Sequence, residues 1–202
     1  MRLKLCWILA VNYLILDNTN LRIRMATLDD FKNRFQDLND DFMLFTSKSN
    51  PATAAMIQNY EAEKGLQFNE EVREFLLTFG SLILEVKEEI WKRPEEFDVL
   101  PSWKFGYGFF VYGLSLDEKF PDWLSYEEKY DEAEKSNATS LGQLFFKRSG
   151  NLYRAYVNGE TITVEYDKFG DDREVFNGNF YDFLIDEVDT LEKDYADYVN
   201  EK

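Results

Sequence analysis

Histidine is absent from this sequence, and cysteine occurs only once, at Cys6. The absence of histidine excludes Ser-His-Asp and Cys-His catalysis, histidine zinc ligation and a histidine pH switch. A single cysteine leaves no internal disulfide, no CxxC motif and no thiolate metal site. We therefore expect no cofactor, no bound metal and a reducing, cytoplasmic location.

Positive charge is also scarce. The 23 Lys and Arg residues stand against 39 Asp and Glu residues, which gives a net charge of −16. This balance argues against nucleic acid or an anionic membrane as a partner. The 202 residues are 45% apolar and 17% aromatic, which is enough to bury a core without disulfides or metal.

The first 25 residues differ in composition from the rest of the chain. They carry four basic residues and one acid, whereas residues 26–202 carry 19 basic and 38 acidic residues. The apolar stretch 5–16 is too short to span a bilayer, which needs about 20 residues. Three interpretations stay open: a signal peptide, an extra strand or helix that packs on the domain, and an upstream extension of the reading frame before Met25. The composition break at Met25 favours the third, so we expect an N-terminal extension over 1–25 and one domain over 26–202.

The first predicted helix follows a capping box at Thr27 and Asp30. Apolar residues then recur at spacings of three and four, which predicts one core-facing helix of about five turns. The residues of this stripe are Leu28, Phe31, Phe35, Leu38, Phe42 and Phe45.

Two more helices are predicted before the sheet. Asn50-Pro51 supplies a cap and a first-turn proline, and Gly65 stands where a helix commonly ends in the left-handed conformation. Asn69 begins the third helix, which Gly80 closes. Its predicted buried side consists of Val72, Phe75, Leu76 and Phe79.

After Gly80 the apolar period changes from helical spacing to two, which indicates strands. The predicted strands are 81–86, 109–114, 143–147, 152–157, 161–166 and 174–176. The segment 109–114 is apolar on both faces and is expected inside a covered sheet. In 161–166, Thr161, Thr163 and Glu165 alternate with Ile162, Val164 and Tyr166, which predicts a half-buried strand.

The last predicted features are a tight turn and a helix. Asn158-Gly159 is a two-residue hairpin turn, and Asn177-Gly178-Asn179 caps a helix with one apolar side. The whole pattern predicts an α+β single domain with N-terminal helices, a central antiparallel-rich mixed sheet and a C-terminal helix packed on the sheet.

Acidic runs and irregular aromatic segments are the candidate binding features. The runs 117–134 and 182–201 are interpreted either as a solvated surface or as an electrostatic face for a basic protein. Tryptophans in irregular segments near these acids are either interface anchors or core residues. The predicted partner-binding residues are Trp91, Trp103, Asp117, Glu118, Asp122, Trp123, Glu127 and Glu128.

Carboxylate catalysis is the remaining enzymatic possibility. With 39 acids, some pairs will lie at glycosidase-like separations by chance, so such pairs carry little information. Catalysis also requires one acid with a raised pKa. We expect no catalytic residues.

The stretch 65–80, GLQFNEEVREFLLTFG, resembles the signature of the SUKH superfamily, in which Phe75-Leu76-Leu77, Phe79 and Gly80 fill the typical places. Segments 84–91, 107–113 and 120–124 are similar to a Bacillus-type branch of that family, and 176–184 to its closing helix. The chain has Asn69 where the family often has proline, and Gly80-Ser81 where it often has Gly-Gly or Asn-Gly.

This resemblance implies a compact α+β domain without enzymatic activity. Bacterial members of the family are toxin-neutralising immunity proteins, which leads us to expect a protein that binds a cognate toxin with a basic, nuclease-like active site. The alternative is a regulatory or scaffold module similar to the fungal cell-wall-synthesis regulators of the same family.

Overall fold

The structure is a computed structural model, and it describes residues 24–90, 107–114, 120, 122–126, 141–148, 153–166 and 172–200. The described helices are α1 (Leu28–Gln36), α2 (Ala54–Lys64), α3 (Glu70–Thr78) and α4 (Phe180–Asn200). The described strands are β1 (Phe42–Thr46), β2 (Leu82–Val86), β3 (Gly108–Val111), β4 (Gln143–Arg148), β5 (Arg154–Asn158), β6 (Thr161–Glu165) and β7 (Arg173–Val175). The predicted α+β class is confirmed. No described helix has both the length and the apolar character that crossing a membrane requires.

The sheet is a meander in which the strands lie side by side in chain order, from β1 to β7. All neighbouring strands pair antiparallel. Among the described residues, parallel pairing occurs only as single bridges, Phe68 with Gly159 and Gly113 with Ser125. The predicted interior strand is confirmed, since β3 lies between β2 and β4 and its Phe109 and Val111 are fully buried.

Helix α4 packs on the sheet through aromatic side chains. The register between β4 and β5 shifts between Leu144 and Phe146, so Phe145 is an extra residue in β4. Because of this bulge, two consecutive phenylalanines contact the same helix: the ring of Phe183 lies 5.4 Å from that of Phe145 and 5.0 Å from that of Phe146. The prediction of a C-terminal helix packed on the sheet is thus confirmed.

Helix caps are the local features that the sequence predicted best. Asn69 caps α3, and its Oδ1 accepts a hydrogen bond from the Val72 backbone N–H at 2.9 Å. Gly65 ends α2 with a φ of 64°. At the start of α4, the side chains of Asn179 and Asp182 each accept a hydrogen bond from the other's backbone N–H, at 2.8 and 2.9 Å.

The predicted five-turn helix from Leu28 to Phe45 is wrong. Helix α1 ends at Gln36, and β1 follows from Phe42. Between them, Asn39 Oδ1 accepts a hydrogen bond from the Asp41 backbone N–H at 2.8 Å, a local bond that competes with helical hydrogen bonding. Phe42 and Phe45 therefore face opposite sides of a strand, so Phe42 is buried while Phe45 is exposed.

Two boundaries also differ from prediction by a few residues. The cap of α2 is Thr53 rather than Asn50, and its side chain accepts a hydrogen bond from the Met56 backbone N–H at 3.3 Å. Asn158 pairs with Thr161, so the two-residue hairpin loop is Gly159-Glu160 rather than Asn158-Gly159. Gly159 supplies the positive φ, 58°, that such a turn needs.

The predicted alternation in 161–166 fails at its end. Ile162 and Val164 are buried, but Glu165 is buried too and Tyr166 is exposed. Glu165 Oε1 accepts hydrogen bonds from Arg173 at 2.8 and 2.9 Å, and Oε2 accepts hydrogen bonds from Arg154 and from Tyr156. Burial opposes ionisation of Glu165, yet the hydrogen bonds from Arg173 and Arg154 hold its pKa below the ordinary value.

A buried charge cluster joins β4 to α4. Arg148 is fully buried and donates to Asp194 at 3.0 Å and to the backbone oxygen of Glu187 at 3.3 Å. The Glu187 carboxylate accepts a hydrogen bond from Tyr153 at 2.6 Å and lies 3.6 Å from Arg148. Burial outweighs the attraction of Arg148 and raises the pKa of Glu187 to about 7.

This raised pKa predicts a pH-dependent contribution to stability. The fold favours protonated Glu187, so the free energy of unfolding should fall as the pH rises from about 5 through about 7. Glu187→Gln removes this titration. Urea denaturation measures the free energy of unfolding of both proteins. The value for the wild type minus the value for Glu187→Gln should decrease between about pH 5 and pH 8, by an amount of order 1–3 kcal/mol. A difference that stays constant across this range would contradict the prediction.

Candidate partner-binding surface

The predicted binding residues fall mostly on parts of the chain that the structure does not describe. Six of the eight lie outside the described residues: Trp91, Trp103, Asp117, Glu118, Glu127 and Glu128. Asp122 is described and exposed, and the backbone of Trp123 follows it in the same 3₁₀ turn. Their role in binding therefore stays a prediction.

The turn that carries Asp122 is held against the end of β3. The Gly113 backbone N–H donates to Leu124 at 3.2 Å, and Gly113 accepts from the Tyr126 N–H at 2.8 Å. On its other side, Gly113 packs against the backbone of Gly80: a Cβ on Gly113 would lie 1.8 Å from the carbonyl oxygen of Gly80, so only glycine fits at this position. Because Leu124 is buried beside it, Asp122 stands at the surface on a well-anchored turn.

Most carboxylates of the second acidic run, on α4, make contacts within the protein. Asp189 and Glu192 both pair with Arg34 of α1, the first at 2.7 Å. The other pairs are Asp182 with the Ala26 and Asn179 backbone N–H groups, Glu187 and Asp194 with Arg148, and Asp197 with Lys193. The contacts with Arg34 and Arg148 therefore hold α4 in place, and only part of the charge of this run faces solvent.

A different acidic cluster forms where three elements meet at Asp41. The Asp41 backbone oxygen accepts a hydrogen bond from the Lys87 N–H at 2.8 Å, which brings the turn after β2 beside the turn before β1. The Asp41 carboxylate accepts a hydrogen bond from Tyr195 of α4, also at 2.8 Å. Burial and this bond raise the pKa of Tyr195 to about 12.

We name this cluster the Asp41 surface. It consists of Asp37, Asp40, Asp41, Glu88 and Glu89, all of which are exposed apart from the half-buried Asp41. Lys87 is the only basic residue in the two turns that form it. Exposed carboxylates on two adjoining turns repel one another and sustain a negative potential, which a cationic partner would relieve.

Sequence reasoning missed the Asp41 surface because it continued the first helix through this turn as far as Phe45. Asp37 caps the end of α1, and the turn that follows it brings Asp40 and Asp41 beside the turn that carries Glu88 and Glu89, which lie far away in sequence. The signal that could have revealed the turn is the run Asp37-Leu-Asn-Asp-Asp41, since Asn and Asp favour turns over helix interiors.

A cleft of about 860 Å³ lies between the α2–α3 connection and the β5–β6 turn. Two of its polar lining residues, Arg73 and Asn69, are held by hydrogen bonds within the protein. Arg73 donates two hydrogen bonds, of 2.8 and 2.7 Å, to the buried Glu61, which also accepts from the Phe68 backbone N–H at 2.7 Å. Asn69 donates to the Gly159 oxygen at 3.0 Å. These bonds hold the walls of the cleft together.

Metal ligands do not gather in the described part of the chain. No group of three or more Cys, Asp or Glu side chains there is placed to hold a metal ion. The arrangement that the described residues do offer is an acidic protein surface on well-anchored turns.

The Glu61–Arg73 pair predicts a non-additive response to mutation. Glu61→Leu should lower the free energy of unfolding by about 3 kcal/mol, because it leaves the Arg73 charge without its carboxylate and the Phe68 N–H without its acceptor. In the double variant Glu61→Leu, Arg73→Leu, no charge is left unpaired. Its free energy of unfolding should therefore be higher than that of Glu61→Leu alone, by about 1 kcal/mol. Urea denaturation of both variants and of Arg73→Leu measures this coupling, and strictly additive losses would contradict it.

The stretch 65–80 that resembles the SUKH signature forms the end of α2, the connection along the cleft, α3 and the turn into β2. Gly80 stands at this turn with a φ of 70°, in the left-handed region. Comparison of the whole chain with models of protein families and with curated proteins finds no match in either set.

Proposed function

We propose that this protein is a non-enzymatic immunity protein that binds and neutralises a bacterial toxin with a basic surface. The observation that carries the proposal is the Asp41 surface, where two adjoining turns beside α4 carry exposed carboxylates. Asp122, exposed on its anchored turn, belongs to the acidic run 117–134. A surface of this kind suits a partner whose own site is cationic.

Electrostatics supports a protein partner more than a small substrate. The charge excess of the chain is larger than solubility requires, and it costs stability through self-repulsion. The same field attracts a cationic partner and raises its association rate. Exposed carboxylates presented to the active site of a nuclease would stand in for substrate phosphates and exclude the nucleic acid.

The resemblance to the SUKH superfamily supports the same proposal. The α+β architecture is the one that this resemblance implies, and Asn69, Phe75 and Phe79 occupy structural positions in the stretch that carries it. The cap and the buried side of α3 explain these residues through folding alone, so they identify no binding surface. The proposed binding role therefore falls on the exposed carboxylates.

Co-expression with the toxin encoded beside the native gene tests the proposal. We expect cells that make both proteins to survive, and the purified pair to elute as one complex. Continued cell death despite abundant soluble protein would count against an immunity role. Recovery of wall-synthesis or signalling proteins from the native host, with no toxin among them, would favour the regulatory or scaffold alternative.

Charge reversal locates the binding surface within that experiment. Asp37→Lys with Glu88→Lys should slow association with the toxin by about tenfold at low salt, and by much less at about 0.5 M salt, because exposed charges act mainly on the association rate and are screened. Glu63→Lys with Glu160→Lys is the matched control, since it changes the net charge equally at exposed residues outside the Asp41 surface.

Stopped-flow or surface-based kinetics at several salt concentrations makes the comparison. Equal slowing by both double variants would mean that only total charge matters, and it would remove the Asp41 surface from the proposal. Charge reversal at Asp117, Glu118 and Asp122 is expected to slow association in the same salt-dependent way. Association rates that do not change with salt would contradict this expectation.

A further inference from the structure

The two edges of the described sheet differ in how well they are protected. Strand β7 at one edge has three residues and begins with the charged pair Arg173-Glu174. Strand β1 at the other edge has five residues, FMLFT, without charge, proline or bulge. Short length, charge and bulges are the usual devices that keep an edge strand from pairing with another chain, and β1 has none of them.

Strand β1 also exposes apolar side chains. Leu44 and Phe45 are 38% and 44% exposed, and they face opposite sides of the sheet because they are adjacent in a strand. Within the described part of the chain, β1 pairs only with β2. Of the backbone groups that face away from β2, the Phe42 N–H already donates to the Asn39 oxygen at 3.3 Å. Among the described residues, the outward backbone groups of Leu44 and Thr46 and both of these side chains are the ones that a further strand can reach.

We propose that this edge binds a second copy of the chain, through antiparallel pairing of β1 with the partner's β1. Centred on Leu44, this register places Met43 opposite the partner's Phe45 and Leu44 opposite the partner's Leu44. The two sheets become one continuous sheet across a two-fold axis, which is the symmetry of the commonest protein dimers. Each exposed apolar residue of β1 then gains an apolar neighbour across the strands.

Charge around β1 selects the antiparallel orientation. The exposed Asp40 precedes the strand by two residues, and the exposed Lys48 follows it by two residues. Both residues lie in turns at the ends of β1, so the Leu44-centred antiparallel register brings the turn that carries Asp40 beside the partner's turn that carries Lys48, and this juxtaposition occurs twice. Parallel pairing would instead bring Asp40 beside the partner's Asp40 and Lys48 beside the partner's Lys48, which is repulsive.

Light scattering coupled to size exclusion tests the dimer with the full chain. We expect a dimer at about 100 µM and dissociation on dilution, in about 0.15 M salt, where the repulsion between two acidic chains is screened. Leu44→Lys places like charges at the two-fold axis and should raise the dissociation constant about tenfold or more, while circular dichroism stays unchanged. Val175→Lys is the matched control, because Val175 is 67% exposed on the opposite edge strand.

A charge swap tests the register. Asp40→Lys alone and Lys48→Glu alone should each weaken the dimer several-fold, whereas the double variant Asp40→Lys, Lys48→Glu restores opposite charges across the axis and should recover the wild-type dissociation constant within about twofold. If the double variant loses as much dimer affinity as the two single variants together, the proposed register is overturned. A chain that stays monomeric at about 100 µM would overturn the dimer.

Hydrogen exchange separates the second copy from the chain's own N-terminal residues as the occupant of β1. Pairing with a second copy predicts that the β1 amides that do not bond to β2 become protected only as the protein concentration rises. Protection of these amides at every concentration would mean that β1 is covered within one chain, with the apolar stretch 5–16 as the candidate, and would overturn the proposal.

Discussion

The turn at Asp41 is the constraint on which both proposed surfaces depend. Asp41 receives a hydrogen bond from Tyr195 on its carboxylate and from Lys87 on its backbone oxygen, while its own N–H donates to Asn39. These three bonds hold the turn between α1 and β1, align β1 with β2 and tie this turn to α4. Without this turn the acids around Asp41 would lie on a helix surface, and the sheet would lack its apolar edge.

The acidic side chains of this protein divide into internal and external groups, and sequence alone does not separate them. Glu61, Glu165 and Glu187 are buried and bind arginines, and carboxylates of α4 hold that helix against α1 and β4. Such contacts satisfy charges that would otherwise be costly to bury. The acids of the Asp41 surface are mostly exposed, so a partner can reach them. The density of acids in the sequence therefore does not by itself mark a binding surface.

The sequence predicted features that depend on neighbouring residues and missed those that depend on distant ones. The caps at Asn69 and Asn179 and the end of α2 at Gly65 follow from bonds within a few residues, and they are confirmed. Residues Phe42–Thr46 form a strand because they pair with β2, about 40 residues later in the chain. This pairing overrides the helical spacing of their apolar residues. Likewise, Glu165 is buried because Arg154 and Arg173 flank it on neighbouring strands, and no local pattern contains that information.

The Asp41 surface and the β1 edge lie next to each other, and this proximity limits what can bind to either. An acidic strand approaching β1 would meet Asp40 and Glu88 and be repelled, whereas a strand with a basic residue at the matching place would be favoured. The chain carries such a residue itself, Lys48, so its own β1 satisfies the condition. In the proposed dimer, Asp40 is the only acid of the Asp41 surface that lies beside the partner's Lys48. The carboxylates of Asp37, Glu88 and Glu89 remain at the rim, so the dimer presents two copies of the acidic surface to a basic partner.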